Sequence, residues 1–412
     1  MEKVSGGIIN SGMISVPLGI YISLPFCRTK CSYCNFASDV FSRSIFERYV
    51  DRVCGEIAHA RHTAQNIGGQ IEEHLDSIYL GGGTPTVLDA AQLKRVFEAV
   101  RAHFTVQPDA EITVECAPGT LSPDVLEGLR CCGVNRVSLG VQSFIDGEAA
   151  AVGRLHKRVT VLEDVARLRA AGIANINLDL IAGLPHQTEE SWGVSLEETI
   201  ATGAPHVSVY MLEVDEDSRL GRELIAGGKR YHAHFVPDED AVADFYAAAC
   251  EKLETSGIEQ YEISNFARGG AESRHNLKYW TRQPYLGFGV DAHSMLRSIP
   301  PEREAVRFAN PDGLEEYLAG LPGQRTPVST ETALEESLFL GLRLNRGVDL
   351  NEIATNFGHS AVERLRPIIA GFVQDGLMQE AGDRIFLTRR GRLLSNEVFQ
   401  GFIAPAAASV RT

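Results

Sequence analysis

Phe26-Cys27-Arg28-Thr29-Lys30-Cys31-Ser32-Tyr33-Cys34-Asn35-Phe36 follows directly on the apolar run 18–24. The spacing C-x3-C-x2-C puts three thiols on one short loop. Three thiolates on such a loop can wrap one face of an iron–sulfur cubane and leave one iron without a protein ligand. A zinc knuckle would want a second cysteine pair or two histidines at matching spacing, and none follows. Cys54, Cys116, Cys131, Cys132 and Cys250 are scattered among apolar neighbours and read as free thiols. Eight cysteines in 412 residues do not make a disulfide scaffold, and they fit a reducing, cytoplasmic compartment.

From that loop outward, short β-rich runs alternate with amphipathic stretches. Strands are expected at 18–24, 75–80, 111–115, 136–139, 175–180 and 206–211, with helices at 43–65, 90–103, 123–132, 160–171 and 189–202. Such alternation implies a parallel sheet with right-handed crossovers. Six units suffice for a curved, partly open (β/α)6 barrel in an α/β fold, with the chemistry at the carboxyl ends of the strands. The cysteine loop falls on that edge. Residues 238–296 read as a helix followed by irregular strands. Beyond the Pro-rich linker around Pro300–Pro301 and Pro322–Pro327 the style changes to three helices and a two-stranded wing, a winged-helix-like pattern. The expected organisation is a flexible N-terminus over 1–17, a barrel with an extension over 18–300 and a smaller domain over 301–412. Whether Met1 or Met13 starts the natural chain stays open.

The net charge is −15, from 39 Lys plus Arg against 54 Asp plus Glu. An acidic chain is a poor binder of nucleic acid or anionic lipid, since both need clustered cations. In the winged segment Arg364 and Arg366 stand among acidic neighbours, which favours a packing or lid module over a DNA reader. No apolar run approaches the roughly 20 residues that cross a bilayer, and the first 20 residues do not read as a signal peptide.

After the second expected strand comes Gly81-Gly82-Gly83-Thr84-Pro85-Thr86. One glycine would serve a tight turn; three in a row at the active edge favour a backbone that approaches a ligand closely. The cysteine triplet, Tyr21 six residues before it and this loop together resemble the radical S-adenosylmethionine (SAM) superfamily. The resemblance implies a [4Fe–4S] cluster on Cys27, Cys31 and Cys34, with SAM chelating the open iron. It also implies reductive cleavage of the sulfonium to methionine and a 5′-deoxyadenosyl radical. The similarity to the coproporphyrinogen-dehydrogenase branch spans roughly residues 18–400 and includes its C-terminal domain of the HemN type. It implies SAM contacts at Tyr21, Tyr33, Gly82, Gly83, Thr84, Glu115, Gln142, Arg154 and Asp179. Read from the residues alone, Glu115 and Asp179 end apolar strands, where an unpaired carboxylate is costly. A buried salt bridge with Arg154 is the alternative, and Gln142 could be a simple strand-end cap.

Within that branch, Cys34-Asn35-Phe36 has Phe where the dehydrogenases carry a further Cys. Cys27 also lies only 26 residues from the first, whereas the dehydrogenases have a longer N-terminal segment. The phrase Tyr261-Glu262-Ile263-Ser264-Asn265-Phe266-Ala267-Arg268 and the run His275-Asn276-Leu277-Lys278-Tyr279-Trp280 instead resemble the heme chaperones of the HemW type. The resemblance implies heme binding at His275, Asn276, Tyr279 and Trp280, and delivery of heme to an acceptor hemoprotein. It implies a reduced flavodoxin- or ferredoxin-type electron donor, and no coproporphyrinogen dehydrogenase activity. A membrane-associated acceptor and a homodimer are left open. Imidazole is a common axial ligand of heme iron, and Tyr279 and Trp280 offer flat faces to a macrocycle; a satisfied histidine among core aromatics is the alternative. His232, His234 and His293 are candidate second ligands, and Arg268, Arg274 and Lys278 candidate partners for propionates. The rival function is a true enzyme: oxygen-independent coproporphyrinogen III dehydrogenase or a related radical SAM methyltransferase.

Overall fold

In the first strand, β1 (Leu18–Leu24), Leu18, Ile20, Ile22 and Leu24 are fully buried on one face, while Gly19, Tyr21 and Ser23 occupy the other. The same alternation runs through β2 (His74–Gly82), β3 (Thr105–Cys116), β4 (Arg136–Gln142), β5 (Asn175–Ala182) and β6 (His206–Met211). These six strands are hydrogen-bonded in sequence order and all parallel. Side chains alternate across a strand. The apolar set therefore faces an outer layer of helices, where Tyr49, Val50, Val53 and Ile57 of Ser44–Ile67 and Leu93, Val96, Phe97 and Val100 of Ala90–His103 are buried. Each such side chain contributes roughly 1.5–3 kcal/mol by leaving water.

The inner face is polar. Register sets Tyr21 beside Tyr79, Ser77 beside Glu111, Glu115 beside Ser138, Ser138 beside Asn177 and Asp179 beside Ser208. A sheet buried on both faces ordinarily reads as apolar on both; here the inside is built to meet something polar.

The structure is a computed structural model that describes residues 16–298 and 304–403. The expected flexible start up to residue 15, Met13 and the linker at Pro300–Pro301 lie outside the described residues. The six strands and five helices of the barrel stand where expected, with ends displaced by a few residues; the largest difference is β3, which starts at Thr105 rather than 111. The sheet does not close. On the β1 side a seventh parallel strand, Tyr285–Phe288, is followed by antiparallel His293–Ser298, Ala305–Ala309 and Gln324–Val328. On the β6 side Asn265–Ala267 and then Glu259–Glu262 add antiparallel strands.

The boundary expected at 301 falls two strands early. Ala305–Ala309 and Gln324–Val328 pair with the main sheet, and Val306 belongs to the main core. A second core begins at Leu334 and takes in Leu338, Leu350, Ile353, Leu365, Ile369, Ile385 and Leu387. It is formed by helices Thr330–Gly341, Leu350–Phe357 and His359–Gln374 and a small sheet of Val348–Asp349, Arg384–Leu387 and Met378–Ala381. Glu336, buried mid-helix, accepts from Arg282 at 3.0 Å and from Arg307 at 2.9 Å. Arg343 reaches back to Glu262 at 3.3 Å and lies 4.2 Å over the Trp280 ring.

Candidate functional site

The cysteine loop is held from both sides. Phe26 bridges to Asp39, the Cys27 N–H donates to the Asp39 carbonyl, and the Lys30 ammonium donates to the carbonyls of Phe36 and Ser38 at 3.0 and 2.6 Å. Across the rim the Ser32 N–H donates to the Val152 carbonyl and the Thr29 hydroxyl to that of Gly153. Cys27, Cys31 and Cys34 are all free thiols. Burial pushes the Cys27 thiol up, opposed by hydrogen bonds from Ser38 and Thr84 and reinforced by the neighbouring Cys34 and Cys31. Arg154 donates to the Cys31 sulfur at 3.6 Å and to the Gly140 carbonyl. Cys116 is no fourth ligand, since its sulfur is 3.4 Å from both the Ala117 carbonyl and the Thr120 hydroxyl inside the core. Among the described residues no three His, Cys, Asp or Glu side chains close on a single ion. A three-thiol donor set on one loop, without a fourth, fits a cubane with one open iron.

Each glycine of the next loop has its own cause. A Cβ on Gly81 would sit 2.8 Å from the Glu115 carboxylate, and one on Gly83 would strike the backbone at Leu24–Phe26, where the cysteine loop begins. Gly82 has φ +95, which glycine alone adopts readily. The N–H groups of Gly83 and Thr84 are taken by the carbonyls of Leu24 and Phe26, so this loop presents carbonyls, suited to an amine, rather than an anion-binding row of N–H groups.

Glu115 lies at the carboxyl end of β3 and accepts from the Tyr79 hydroxyl at 2.9 Å. Burial, with repulsion from Asp179, pushes its carboxyl up to about 7. Asp179 is likewise raised by burial, against hydrogen bonds from Ser138 at 2.8 Å and Asn177 at 2.7 Å. Among the described residues Arg154 makes no ion pair with either acid and donates instead to the Cys31 sulfur and the Gly140 carbonyl, so the salt-bridge alternative does not form. Gln142 takes φ +67 at a bulge in β4, a conformation that costs about 1–3 kcal/mol off glycine and concentrates at working sites. Tyr33 packs on Val152, Ile181 and Leu184 beside the thiols. The nine expected SAM contacts thus share one rim with the three cysteines. Tyr79, Ser138 and Asn177, which sequence reasoning passed over, support them; the period-two alternation of polar residues within the apolar strands was the available signal.

The H-N-x-x-Y-W run is a helix, Arg274–Trp280, not part of the irregular strands expected there. It plugs the barrel from the interior. Glu111, also unforeseen, accepts from the N–H groups of Arg274 and His275 and from the Ser273 hydroxyl, fixing the helix start. His275 is 1% exposed. Its Nδ1 meets the Ser77 hydroxyl at 3.0 Å and its Nε2 the Tyr279 hydroxyl at 2.8 Å, with Tyr79 and Tyr21 rings at 5.4 and 6.4 Å. Burial, then the nearby Lys278 charge, lowers the imidazole to about 3. Both ring nitrogens are therefore engaged. Asn276 sits on the first turn and Trp280 under Arg343. The three candidate propionate partners are all occupied: Lys278, buried, pairs with Asp76 at 2.7 Å and donates to the Pro17 carbonyl; Arg274 pairs with Asp109; Arg268 donates to the Ser256 carbonyl. His293 is exposed and lies 3.7 Å from Asp291.

Residues 21–198 match the family model of the radical SAM superfamily, and residues 328–394 that of the HemN C-terminal domain. The heme chaperone HemW of Bacillus subtilis is 35% identical over 390 residues, covering 93% of this chain and 98% of that one. That of Escherichia coli is 29% identical over 394 residues, covering 94% and 98%. The solved structure of Escherichia coli coproporphyrinogen III oxidase (HemN), a radical SAM enzyme, superposes with a TM-score of 0.79 at 25% identity, covering 94% of this chain and 90% of that one.

Proposed function

Because the chain belongs to the heme chaperone HemW family, within the radical SAM superfamily, we propose that it binds heme and hands it to an acceptor hemoprotein. Cys27, Cys31 and Cys34 hold a [4Fe–4S] cluster, and SAM is seated by Tyr21, Tyr33, the carbonyls at Gly82 and Gly83, Thr84, Glu115, Gln142, Arg154 and Asp179. When bound, the cluster supplies an electron and SAM a cleavable sulfonium bond. The chain's own part is to orient the amino acid end of SAM with the glycine loop and to keep Arg154 over one cysteine sulfur. The observation that carries this reading is the gathering of three thiols, three glycines and two raised acids on one rim, in a chain whose relatives match it over nearly their full length.

The test is an anaerobically reconstituted protein titrated with hemin, then mixed with a heme-free acceptor, with coproporphyrinogen III conversion assayed in parallel. Heme uptake and transfer without porphyrinogen oxidation is the expected result; oxidation without heme uptake overturns it in favour of the enzyme. The fold likeness to HemN keeps that rival in view, while Phe36, 65% exposed where the dehydrogenases carry Cys, counts against it. A reduced flavodoxin- or ferredoxin-type donor belongs to this reading, and a membrane-associated acceptor and a homodimer are compatible with it. No helix among the described residues is long and apolar enough to cross a membrane.

The heme contacts implied at His275, Asn276, Tyr279 and Trp280 require one change in the helix: Nε2 of His275 must leave the Tyr279 hydroxyl before it can reach iron. His275→Ala separates two roles. Loss of hemin affinity with SAM binding intact assigns the imidazole to heme; loss of SAM binding with hemin affinity intact assigns it to the support of Tyr79 and Glu115.

A further inference from the structure

Beyond β6, residues 218–236 fold into an annex at the carboxyl rim. The helix Arg219–Ala226 is tied to the cysteine loop: the Leu220 N–H donates to the Ser32 carbonyl at 2.8 Å and the Arg219 guanidinium to that of Lys30 at 3.2 Å. The Glu223 carboxylate is spent inside, accepting from the N–H groups of Arg230, Tyr231 and Ala233 and so folding the following loop back over the helix. Between helix and loop lies an open cavity of about 470 Å³ lined by Arg219, Arg222, Glu223, Gly227, Arg230 and Tyr231. That volume is in the range of small-molecule and cofactor sites. Its three arginines make no ion pair among the described residues: Arg222 reaches only the Ser218 carbonyl and Arg230 lies over the Tyr231 ring. In a chain of charge −15, three unpaired guanidinium groups around one hollow select a ligand with carboxylates.

At the edge of this hollow two histidines meet. His186, from the loop after β5, and His232, next to Tyr231, both have left-handed backbones, and these bring His186 Nε2 to 3.0 Å from His232 Nδ1. Neutral imidazole carries one N–H, so one ring donates to the other. In either tautomer the donor ring keeps a bare second nitrogen, with no partner among the described residues. This is how an imidazole is oriented for a metal: its N–H anchored, its lone pair outward. Phe235 stacks on His186 at 4.2 Å yet is 57% exposed, leaving an apolar plate uncovered.

We propose that this annex is the exchange site for heme: Arg222 and Arg230 take the propionates, the donor imidazole of the His186–His232 pair ligates iron while the other ring anchors it, and Phe235 covers part of the macrocycle. The inference rests on the heme-chaperone reading and adds where the cargo is held while it is passed on. It differs from helix Arg274–Trp280, whose imidazole is enclosed, in having ligand groups that already face solvent.

The test uses cluster-loaded full-length protein titrated with hemin and with metal-free protoporphyrin IX, read in the Soret region. His186→Ala/His232→Ala is expected to weaken hemin at least tenfold and alter its Soret band while sparing protoporphyrin. Arg222→Ala/Arg230→Ala is expected to weaken both ligands at least tenfold, with partial recovery in Arg222→Lys/Arg230→Lys. Cluster absorbance and SAM binding, unchanged in all three, show that the variants are folded. If both alanine pairs bind hemin within twofold of the parent, the exchange site is overturned and the chaperone reading stands. If the parent itself takes no hemin, both fall.

Discussion

His275 and His232 stand at opposite ends of a contrast between the floor of the barrel and its carboxyl rim. On the floor most groups have been answered by the protein: imidazole by Ser77 and Tyr279, ammonium by Asp76, helix start by Glu111, with the buried Trp280 indole N–H the exception on the plug helix. On the rim the same chemical types are left wanting. Two carboxyls stay raised by burial despite their hydrogen bonds, the backbones of Gln142, His186 and His232 are held at positive φ, and three guanidinium groups lack counter-charges among the described residues. Polar side chains inside a protein are therefore not one class. Those whose hydrogen bonds close on protein stabilise, and those held in place but unanswered are where a ligand completes the structure.

Four tests, using six substitutions, sharpen or break this contrast, in descending order of effect. Cys27→Ser, Cys31→Ser and Cys34→Ser should each abolish the visible absorbance of the reconstituted cluster while leaving thermal unfolding of the cluster-free protein almost unmoved; retained absorbance in all three would remove the rim from the chemistry. Lys278→Met should do the reverse. It strips a buried charge partner from Asp76 and should cost about 3 kcal/mol in urea unfolding, and a loss below ~0.5 kcal/mol would show that the floor is not held as described.

Glu115 gives the third, through pH. Its carboxyl is raised to about 7 from 4.5. The proton-bound form is thus favoured by folding, and the stability it contributes is present below about 4.5 and lost as pH rises through about 7. An SAM amine would select the charged form, so SAM affinity should fall by up to roughly tenfold per pH unit below about 7. Glu115→Gln should flatten that profile, and an unchanged inflection would assign it to another group. Smallest is Gln142→Gly. Relief of the left-handed backbone, offset by glycine's entropy, should leave stability unchanged or raised by up to about 1 kcal/mol, while SAM affinity drops.

The rim was legible in the sequence because its chemistry is local: C-x3-C-x2-C and the Gly-Gly-Gly-Thr-Pro-Thr loop each lie within a few residues. The six strands were legible because the apolar alternation is strong. The floor was not, since its partners are far apart in the chain. Glu111 meets His275 across 164 positions and Lys278 meets Asp76 across 202, pairings that strand register creates and that no periodicity announces. Lys278, a candidate partner for a propionate in the sequence, is spent on Asp76 for the same reason. The boundary at 301 was misplaced because a proline-rich linker imitates a domain junction, whereas hydrogen bonding carries the sheet through to Val328.

One feature of the smaller body bears on how the protein is to be taken apart. Glu336 neutralises Arg282 and Arg307, and Arg343 both answers Glu262 and roofs Trp280. A fragment ending near residue 329 would expose four groups adjoining the plug helix at once, and its failure to hold cofactors would report that injury rather than any duty of the missing part. Dissection of this chain is better done by single charge reversals across the seam than by truncation.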